Sequence, residues 1–324
     1  MIQSSKPPKK LALQMDPLES LNHGWDSSLL LAYEASQRGY QLFHYLPSSL
    51  SLTPNGLIAH GTSFTVSADG MTITQQEKQI LLLEEMDVLM IRQDPPFDMS
   101  YITATYFLEH LKGKVCLINN PTAIRDHPEK ILMTHFKDLI PPTLISSTQS
   151  DIESFRKDYG DIVIKPLYDG GGFGVIQLKK DDGNLSALLD LHARLSNVPL
   201  IVQKYLPEVM KGDKRIILFN GQFVGGLNRI PAQGEFRSNI RAGGIGQKLE
   251  MTKRDHEICE AIGPTLKEQG LFFAGIDVIG PYLTEINVTS PTGLRGVNQF
   301  DQTQIEKRFW DDVEKHLLPN TRSH

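Results

Sequence analysis

Near the C-terminus, Thr284-Glu285-Ile286-Asn287-Val288 alternates polar and apolar residues. As a strand it would put Glu285 and Asn287 on one face. The preceding segment, Phe273-Ala274-Gly275-Ile276-Asp277-Val278, reads as its hairpin partner through Gly280-Pro281 and brings Asp277 onto a neighbouring strand. Asp, Glu and Asn offer only oxygen donors, the kind magnesium takes from protein together with phosphate and water. An ordinary polar face of an amphipathic hairpin has the same pattern, so the metal reading needs a phosphate site nearby.

Candidates for that site lie upstream. Ile162-Val163-Ile164-Lys165-Pro166 ends an apolar strand with a lysine, and Asp169-Gly170-Gly171-Gly172-Phe173-Gly174 follows directly. An ammonium and bare glycine amides can together hold phosphates. The spacing is neither a Walker A motif nor a Rossmann fingerprint. A plain glycine turn in a hairpin is the competing reading. Lys130, opening a short helix, is a second candidate cation. Arg229 to Gly246 holds three arginines (Arg229, Arg237, Arg241) and four glycines (Gly234, Gly243, Gly244, Gly246). So long a loop without structure suits a mobile lid that recognises anions. Leu200–Leu206 is either the strand against which an adenine ring lies or a plain buried strand.

Other chemistries find little support. There is no Gly-x-Ser-x-Gly elbow and no kinase catalytic loop. His256-Glu257-Ile258-Cys259-Glu260 lacks the second histidine of a zinc helix. With no nucleophile motif, the chemistry is positioning and charge neutralisation.

These residues need a scaffold, and 324 residues suffice for two domains. At 40% hydrophobic and 22% charged, the chain is neither disordered nor of low complexity. Its 33 basic and 38 acidic residues leave a formal charge of −5, which advertises no nucleic-acid surface. Two cysteines, Cys116 and Cys259, are too few for a disulfide framework and fit a reducing cytosol. No apolar run approaches a membrane span, and the polar, basic Met1–Lys10 is no signal peptide. A cytoplasmic protein is expected.

Along the first 125 residues, strands at Leu11–Met15, Gln41–Tyr45, Asp87–Arg92 and Val115–Asn119 alternate with helices at Asp26–Arg38 and Tyr101–Leu111. That alternation predicts an open parallel sheet. Ala68-Asp69-Gly70 adds a hairpin between short strands at Ser63–Ser67 and Met71–Thr74. After a short helix at Glu129–Lys137 the strands come in pairs. Asp161–Lys165 pairs with Val175–Lys179, and Asn220-Gly221 joins Arg215–Phe219 to Gln222–Gly226. A helix opens with a capping box at Thr252 and Asp255 and closes at Gly270, and a last helix spans Thr303 to Leu318. The expected fold class is α/β followed by antiparallel α+β.

Lys165-Pro166 with its glycine loop, the arginine-rich loop, and Asp277 with Glu285-x-Asn287 resemble the ATP-grasp superfamily. More narrowly, the chain resembles the bacterial-type glutathione synthetases over nearly its whole length. That match is carried by Met15-Asp16-Pro17, Arg92-Gln93-Asp94-Pro95-Pro96-Phe97-Asp98, Gly212-Asp213-Lys214-Arg215 and Arg229-Ile230-Pro231. It continues through Ala242-Gly243-Gly244 and Ile262-Gly263-Pro264-Thr265-Leu266-Lys267, and is most specific at Leu283-Thr284-Glu285-Ile286-Asn287-Val288-Thr289-Ser290-Pro291-Thr292. Three positions depart from the family pattern: Gln93 stands in place of a lysine, Gly293 where a cysteine can occur, and Gly296 in place of an acidic residue.

The resemblance implies an ATP-grasp fold over residues 126–318, preceded by an α/β domain over 1–125 and followed by a tail at 319–324. It implies a ligase that joins γ-glutamylcysteine and glycine at the expense of ATP, through an acyl phosphate. By the same resemblance Lys130, Lys165, Gly170, Gly171 and Gly172 hold the nucleotide phosphates. Gln203, Lys204, Tyr205 and Leu206 line the adenine pocket, and Asp213 lies near the ribose. Arg215, Arg229 and Lys165 stabilise transferring charge. Asp277, Glu285 and Asn287 bind magnesium, with manganese as a substitute. Ser290, Thr292, Arg295, Arg241, Gly243 and Gly244 are the implied peptide contacts, and a homotetramer is the implied assembly. A different ATP-grasp ligase, or an ATP-binding module without catalysis, are the rival functions.

Overall fold

The structure, a computed structural model, describes residues 7–318 apart from the side chain of Arg241; the expected tail at 319–324 lies outside them. The first part comprises β1 (Lys10–Gln14), α1 (Ser27–Gln37), β2 (Gln41–Thr53), β3 (Gly56–Val66), β4 (Ile73–Leu82), β5 (Val88–Ile91), α2 (Met99–Glu109), β6 (Cys116–Ile118) and α3 (Pro121–Asp126). Its six-stranded sheet runs β4-β3-β2-β1-β5-β6. The half built from β2, β1, β5 and β6 is parallel, as alternation with α1 and α2 requires. The other half is an antiparallel extension, because β2 and β3 are joined by a tight turn and both run on past the short segments expected from sequence.

The middle part holds α4 (Glu129–Leu132), β7 (Thr143–Ser146), α5 (Gln149–Tyr159), β8 (Ile162–Pro166), β9 (Ile176–Leu178), α6 (Leu185–Leu195) and β10 (Leu200–Lys204). Its sheet order is β7-β10-β8-β9, all antiparallel. The helix expected over Glu129–Lys137 stops at Leu132 and tightens into a 3-10 turn at Met133–His135. The chain turns away there because the carbonyl of Leu139 accepts from Leu283 N at 2.8 Å, a tertiary bond that no local propensity reports. Helix α5 escaped the sequence reading because its apolar stripe is thin: Ile152, Phe155 and Tyr159 stand alone among polar residues, and Ile152 alone is buried.

The last part holds β11 (Asp213–Phe219), β12 (Gln222–Ile230), β13 (Ile245–Lys248), α7 (Lys253–Gln269), β14 (Phe273–Ile279), β15 (Tyr282–Asn287), α8 (Leu294–Asp301) and α9 (Ile305–His316). Its antiparallel sheet runs β13-β12-β11-β14-β15. The loop expected over Arg229 to Gly246 is shorter than the sequence suggested, since Ile230 pairs with Ile245 and closes it as a hairpin. Thr252 and Asp255 form the capping box of α7, and Gly270 ends it in the left-handed conformation. Among the described residues no helix is long and apolar enough to cross a membrane.

At the β11–β12 turn both Asn220 and Gly221 have positive φ, as a tight two-residue hairpin demands. A Cβ on Gly221 would stand 2.2 Å from the carbonyl oxygen of Gly263 on α7. Gly221→Ala is therefore expected to destabilise the protein by more than about 1 kcal/mol. A urea melt checks this, and an unchanged midpoint would contradict the packing described.

Two groups of buried contacts dock the first part onto the last. Asn119 Nδ2 donates to the carbonyls of Phe273 and Val288, both at 2.8 Å, and its Oδ1 accepts from Phe273 N at 2.7 Å. Arg92 donates to Ser28 Oγ at 2.9 Å and to the Pro291 carbonyl at 2.8 Å. Ser27 Oγ accepts from Gly293 N and Leu294 N. The ends of β14 and β15, and the segment after them, are thereby held against α1 and β6.

Candidate active site

Strand register assembles the charged groups. In the antiparallel sheet Arg215 lies opposite Asp277, Asp213 opposite Arg229, and Asp277 opposite Glu285. Directly opposed residues share a face, and Asn287, two residues beyond Glu285, joins it. The Arg215 fork grips Asp277 with Nε–Oδ1 at 2.6 Å and Nη2–Oδ2 at 3.0 Å. Arg229 Nη2 bridges Asp213 Oδ2 at 2.7 Å and Asp277 Oδ1 at 3.0 Å, and Ser238 Oγ donates to Asp213 Oδ2 at 2.7 Å. Asn287 Nδ2 stands 3.5 Å from Asp277 Oδ2.

Two lysines face this sheet from the other parts of the chain. Lys130 Nζ, on α4, lies 3.2 Å from Glu285 Oε1 and also donates to the carbonyl of Asp169. Lys165 Nζ, at the end of β8, donates to Gln203 Oε1 on β10 at 2.8 Å. Burial pushes the Lys165 ammonium below its ordinary value, with Lys130 adding to the shift. Burial also pushes the Asp213 carboxyl up, and Arg229 does not fully offset it. Asp277 goes the other way: burial opposes its charge, but Arg215 and Arg229 together hold it well below the usual carboxylate range. Two guanidiniums in hydrogen-bond contact with one carboxylate here outweigh the desolvation that would otherwise raise it.

Two clefts open on this arrangement. The first encloses about 830 Å³ and is lined by Lys130, Lys165, Gly170, Gly171 and Gly172, with Gln203 to Leu206 behind them. Asp213, Asp277 and Glu285 close its end. The second, about 1190 Å³, is lined by Arg215, Arg229, Asn287, Ser290 and Thr292 on one side, and by Trp25, Asp26 and Asp94 of the first part on the other. Gly170, Gly171, Asn239 and Glu285 line both clefts, so the two abut there. Over their junction the two glycine-bearing loops meet, with Arg237 Nη1 3.4 Å from the Gly172 carbonyl.

Some candidate residues fall elsewhere. Arg295, Gly243 and Gly244 line neither cleft. The direction of α8 turns Arg295 toward the carbonyl of Asp26, 3.4 Å away, and toward the turn at Gly70. Gly244 is pressed against the Ser238 carbonyl, which a Cβ would meet at 2.0 Å. Arg241 carries a side chain outside the described residues.

The structure also adds residues that the sequence did not offer. Glu129, beside Lys130, lines the second cleft, and its Oε1 accepts from Val288 N, Thr289 N and Thr289 Oγ1. Burial, then the Glu285 charge, raises its carboxyl above the ordinary value. Only its place at the head of a short helix could have drawn attention to it. Asn239 lies in the arginine- and glycine-rich loop already singled out, though nothing marked that residue itself, whereas Trp25 and Asp26 gave no signal, because the residues across the cleft from them are remote in sequence.

The family described as prokaryotic glutathione synthetase, N-terminal domain, matches residues 10–125, and that described as prokaryotic glutathione synthetase, ATP-grasp domain, matches residues 129–302. A glutathione synthetase of Mesorhizobium japonicum is 48% identical over 306 residues, covering 94% of this chain and 98% of the relative. Those of Agrobacterium fabrum and Vibrio parahaemolyticus are 46% identical (95% of this chain, 97% of the relative) and 37% identical (95% and 98%). Among solved structures, D-alanyl-alanine synthetase A from Vibrio cholerae superposes with a TM-score of 0.61 at 13% identity, over 97% of this chain and all of the other. The ATP-grasp ligase PsnB superposes with 0.59 at 15% identity, over 97% and 99%. These two share the fold alone.

Proposed function

The chain belongs to the prokaryotic glutathione synthetase family, and from that premise we propose that it joins γ-glutamylcysteine to glycine, converting ATP to ADP and phosphate. The observation that carries this reading is the junction of the two clefts, where Arg215, Arg229, Asp277 and Glu285 stand between a glycine- and lysine-lined space and a larger polar one. ATP takes the first cleft. Lys130, Lys165 and the amides of Gly170–Gly172 hold its phosphates, whose charge offsets the cost of burying the Lys165 ammonium. Gln203 to Leu206 flank the base, and Asp213, whose buried Oδ1 has no partner among the described residues, stands ready to accept from the ribose.

The donors at the junction are all oxygen: two carboxylates on adjacent strands and the amide of Asn287. Asn287, on the same strand face as Glu285, adds a third oxygen through its side-chain carbonyl. This set fits magnesium, or manganese, and Asp277, Glu285 and Asn287 would hold it. Bound there, the metal supplies neutralisation of phosphate charge.

The remaining steps belong to the chain's own residues. The dipeptide lies in the second cleft with its cysteinyl carboxylate against Arg215 and Arg229. A carboxylate oxygen attacks the γ-phosphorus and ADP leaves. The amine of glycine then attacks the acyl carbon, the bond from that carbon to the phosphate oxygen breaks, and the proton lost by the amine leaves with the phosphate. Both guanidiniums are already fixed by Asp213 and Asp277, so they stabilise the migrating charge without reorganising. Arg237 and the glycine loop cover the junction and exclude water, which would hydrolyse the acyl phosphate.

The test is ADP release with magnesium, ATP and γ-glutamylcysteine, with and without glycine, and the product identified by mass. Glycine-dependent release with a glutathione mass is expected. Release only with another carboxylate and amine would move the substrates while keeping the site, and no release with any pair would leave a binding module.

A further inference from the structure

The second cleft sets charged and polar groups beside apolar ones, and Leu21, Trp25 and Leu227 are among the apolar side chains that line it. The two tryptophans of the chain are in opposite situations. Trp310 is fully buried and its Nε1 donates to the Leu31 carbonyl, whereas Trp25 is 37% exposed and faces the cleft. Its indole is seated on bare backbone: a Cβ on Gly296 would come within 3.3 Å of Trp25 Cζ3 and of Leu227 Cδ1. At Gly293, where φ is +118°, a Cβ would meet Leu227 Cδ2 at 2.9 Å and Arg215 Cγ at 3.5 Å. Indole, leucine and the aliphatic stem of Arg215 thus form one continuous apolar line, made possible by two glycines on α8 and at its start.

That line begins beside the guanidinium against which the function proposed above sets the reacting carboxylate, and the inference rests on that reading. In γ-glutamylcysteine the CH₂–SH group branches from the carbon that bears this carboxylate. It therefore falls next to Arg215, where the apolar line starts. The γ-glutamyl end, with its own ammonium and carboxylate, extends toward the polar wall that includes Asp26 and Asp94. We propose that Trp25, backed by Leu227 and seated on Gly296, forms the subsite for the cysteinyl side chain and sets the enzyme's selectivity at that position. A thiol against an indole gains both apolar burial and sulfur–aromatic contact.

The experiment is steady-state kinetics of the wild type, Trp25→Ala and Trp25→Phe, with γ-glutamylcysteine and with γ-glutamylalanine, which lacks only the sulfur. In Trp25→Ala the KM for γ-glutamylcysteine should rise about tenfold, with kcat within about twofold and the KM for ATP unmoved. The preference for the cysteinyl over the alanyl dipeptide should fall toward unity, and Trp25→Phe should keep most of it. Equal losses with both dipeptides, or a change confined to the ATP KM or the melting temperature, would overturn the proposal. Wild-type protein that makes no glutathione from γ-glutamylcysteine would instead refute the functional reading on which it depends.

Discussion

Glu285→Gln is expected to lower turnover by about a hundred- to a thousand-fold at physiological magnesium while the protein folds normally. Glu285, on β15, lies opposite Asp277, lines both clefts, and is paired with Lys130 at 3.2 Å. The amide keeps the volume and the hydrogen-bonding capacity of the side chain, so the local packing survives. It loses the charge that would hold a divalent cation at the point where the clefts meet. Part of the loss should be recovered by raising magnesium, because a weakened site fills at higher concentration. ADP release measured across a magnesium titration checks both parts. Unchanged turnover at limiting and saturating magnesium would remove Glu285 from the metal site.

Asp277→Asn is expected to fail differently, by losing stability as well as activity. Arg215 is buried, and both its Nε and its Nη2 donate to Asp277; among the described residues its one other hydrogen bond is a long one, from Nη1 to the Thr292 carbonyl at 3.4 Å. Removing the carboxylate leaves a guanidinium buried without its counter-charge, which costs about 3–5 kcal/mol. That is a large share of the roughly 5–15 kcal/mol by which folded domains are stable. Arg229 keeps Asp213 and suffers less.

The pH dependence has a definite sign. The Asp277 carboxyl is held below its ordinary value of 3.8, so its contribution is complete above that value and drains away as the pH falls through the depressed one. The gap in stability between wild type and Asp277→Asn should be constant from neutrality down to about pH 4 and narrow only below it. Chemical denaturation at several pH values measures this, and equal stabilities at pH 7 would show that the Arg215–Asp277 pair does not act as described.

Much of the hairpin architecture was readable because turn chemistry is local. Asn220-Gly221, Asp69-Gly70 and Gly280-Pro281 each announce a reversal within a few residues, and Thr252 with Asp255 announces a helix start. Period-two alternation likewise put Glu285 and Asn287 on one face. Register was not readable. The irregularity between Asp277 and Val278 decides that Asp277 faces Glu285, and the β11 pairings decide that it faces Arg215. The sequence marked Arg215, Arg229 and Asp213 as separate polar residues, and the sheet makes them a single charge network.

The same distinction explains what was missed or displaced. Arg295 reads as a cation close to the site in sequence, yet one turn of α8 carries it away from both clefts. Glu129, Trp25 and Asp26 enter the site from positions 150 or more residues away from the residues they face, and no local pattern marks them. By itself the sequence determined the chemistry available: the oxygen donors, the lysines and glycines suited to phosphate, and the strands and turns that carry them. Those follow from residue type and from bonds that span a few positions. Only the tertiary structure decided which carboxylate each guanidinium neutralises, where the two clefts meet, and which apolar side chains line the second of them. These depend on strand register and on packing between distant segments, whose energies are settled when the whole chain closes.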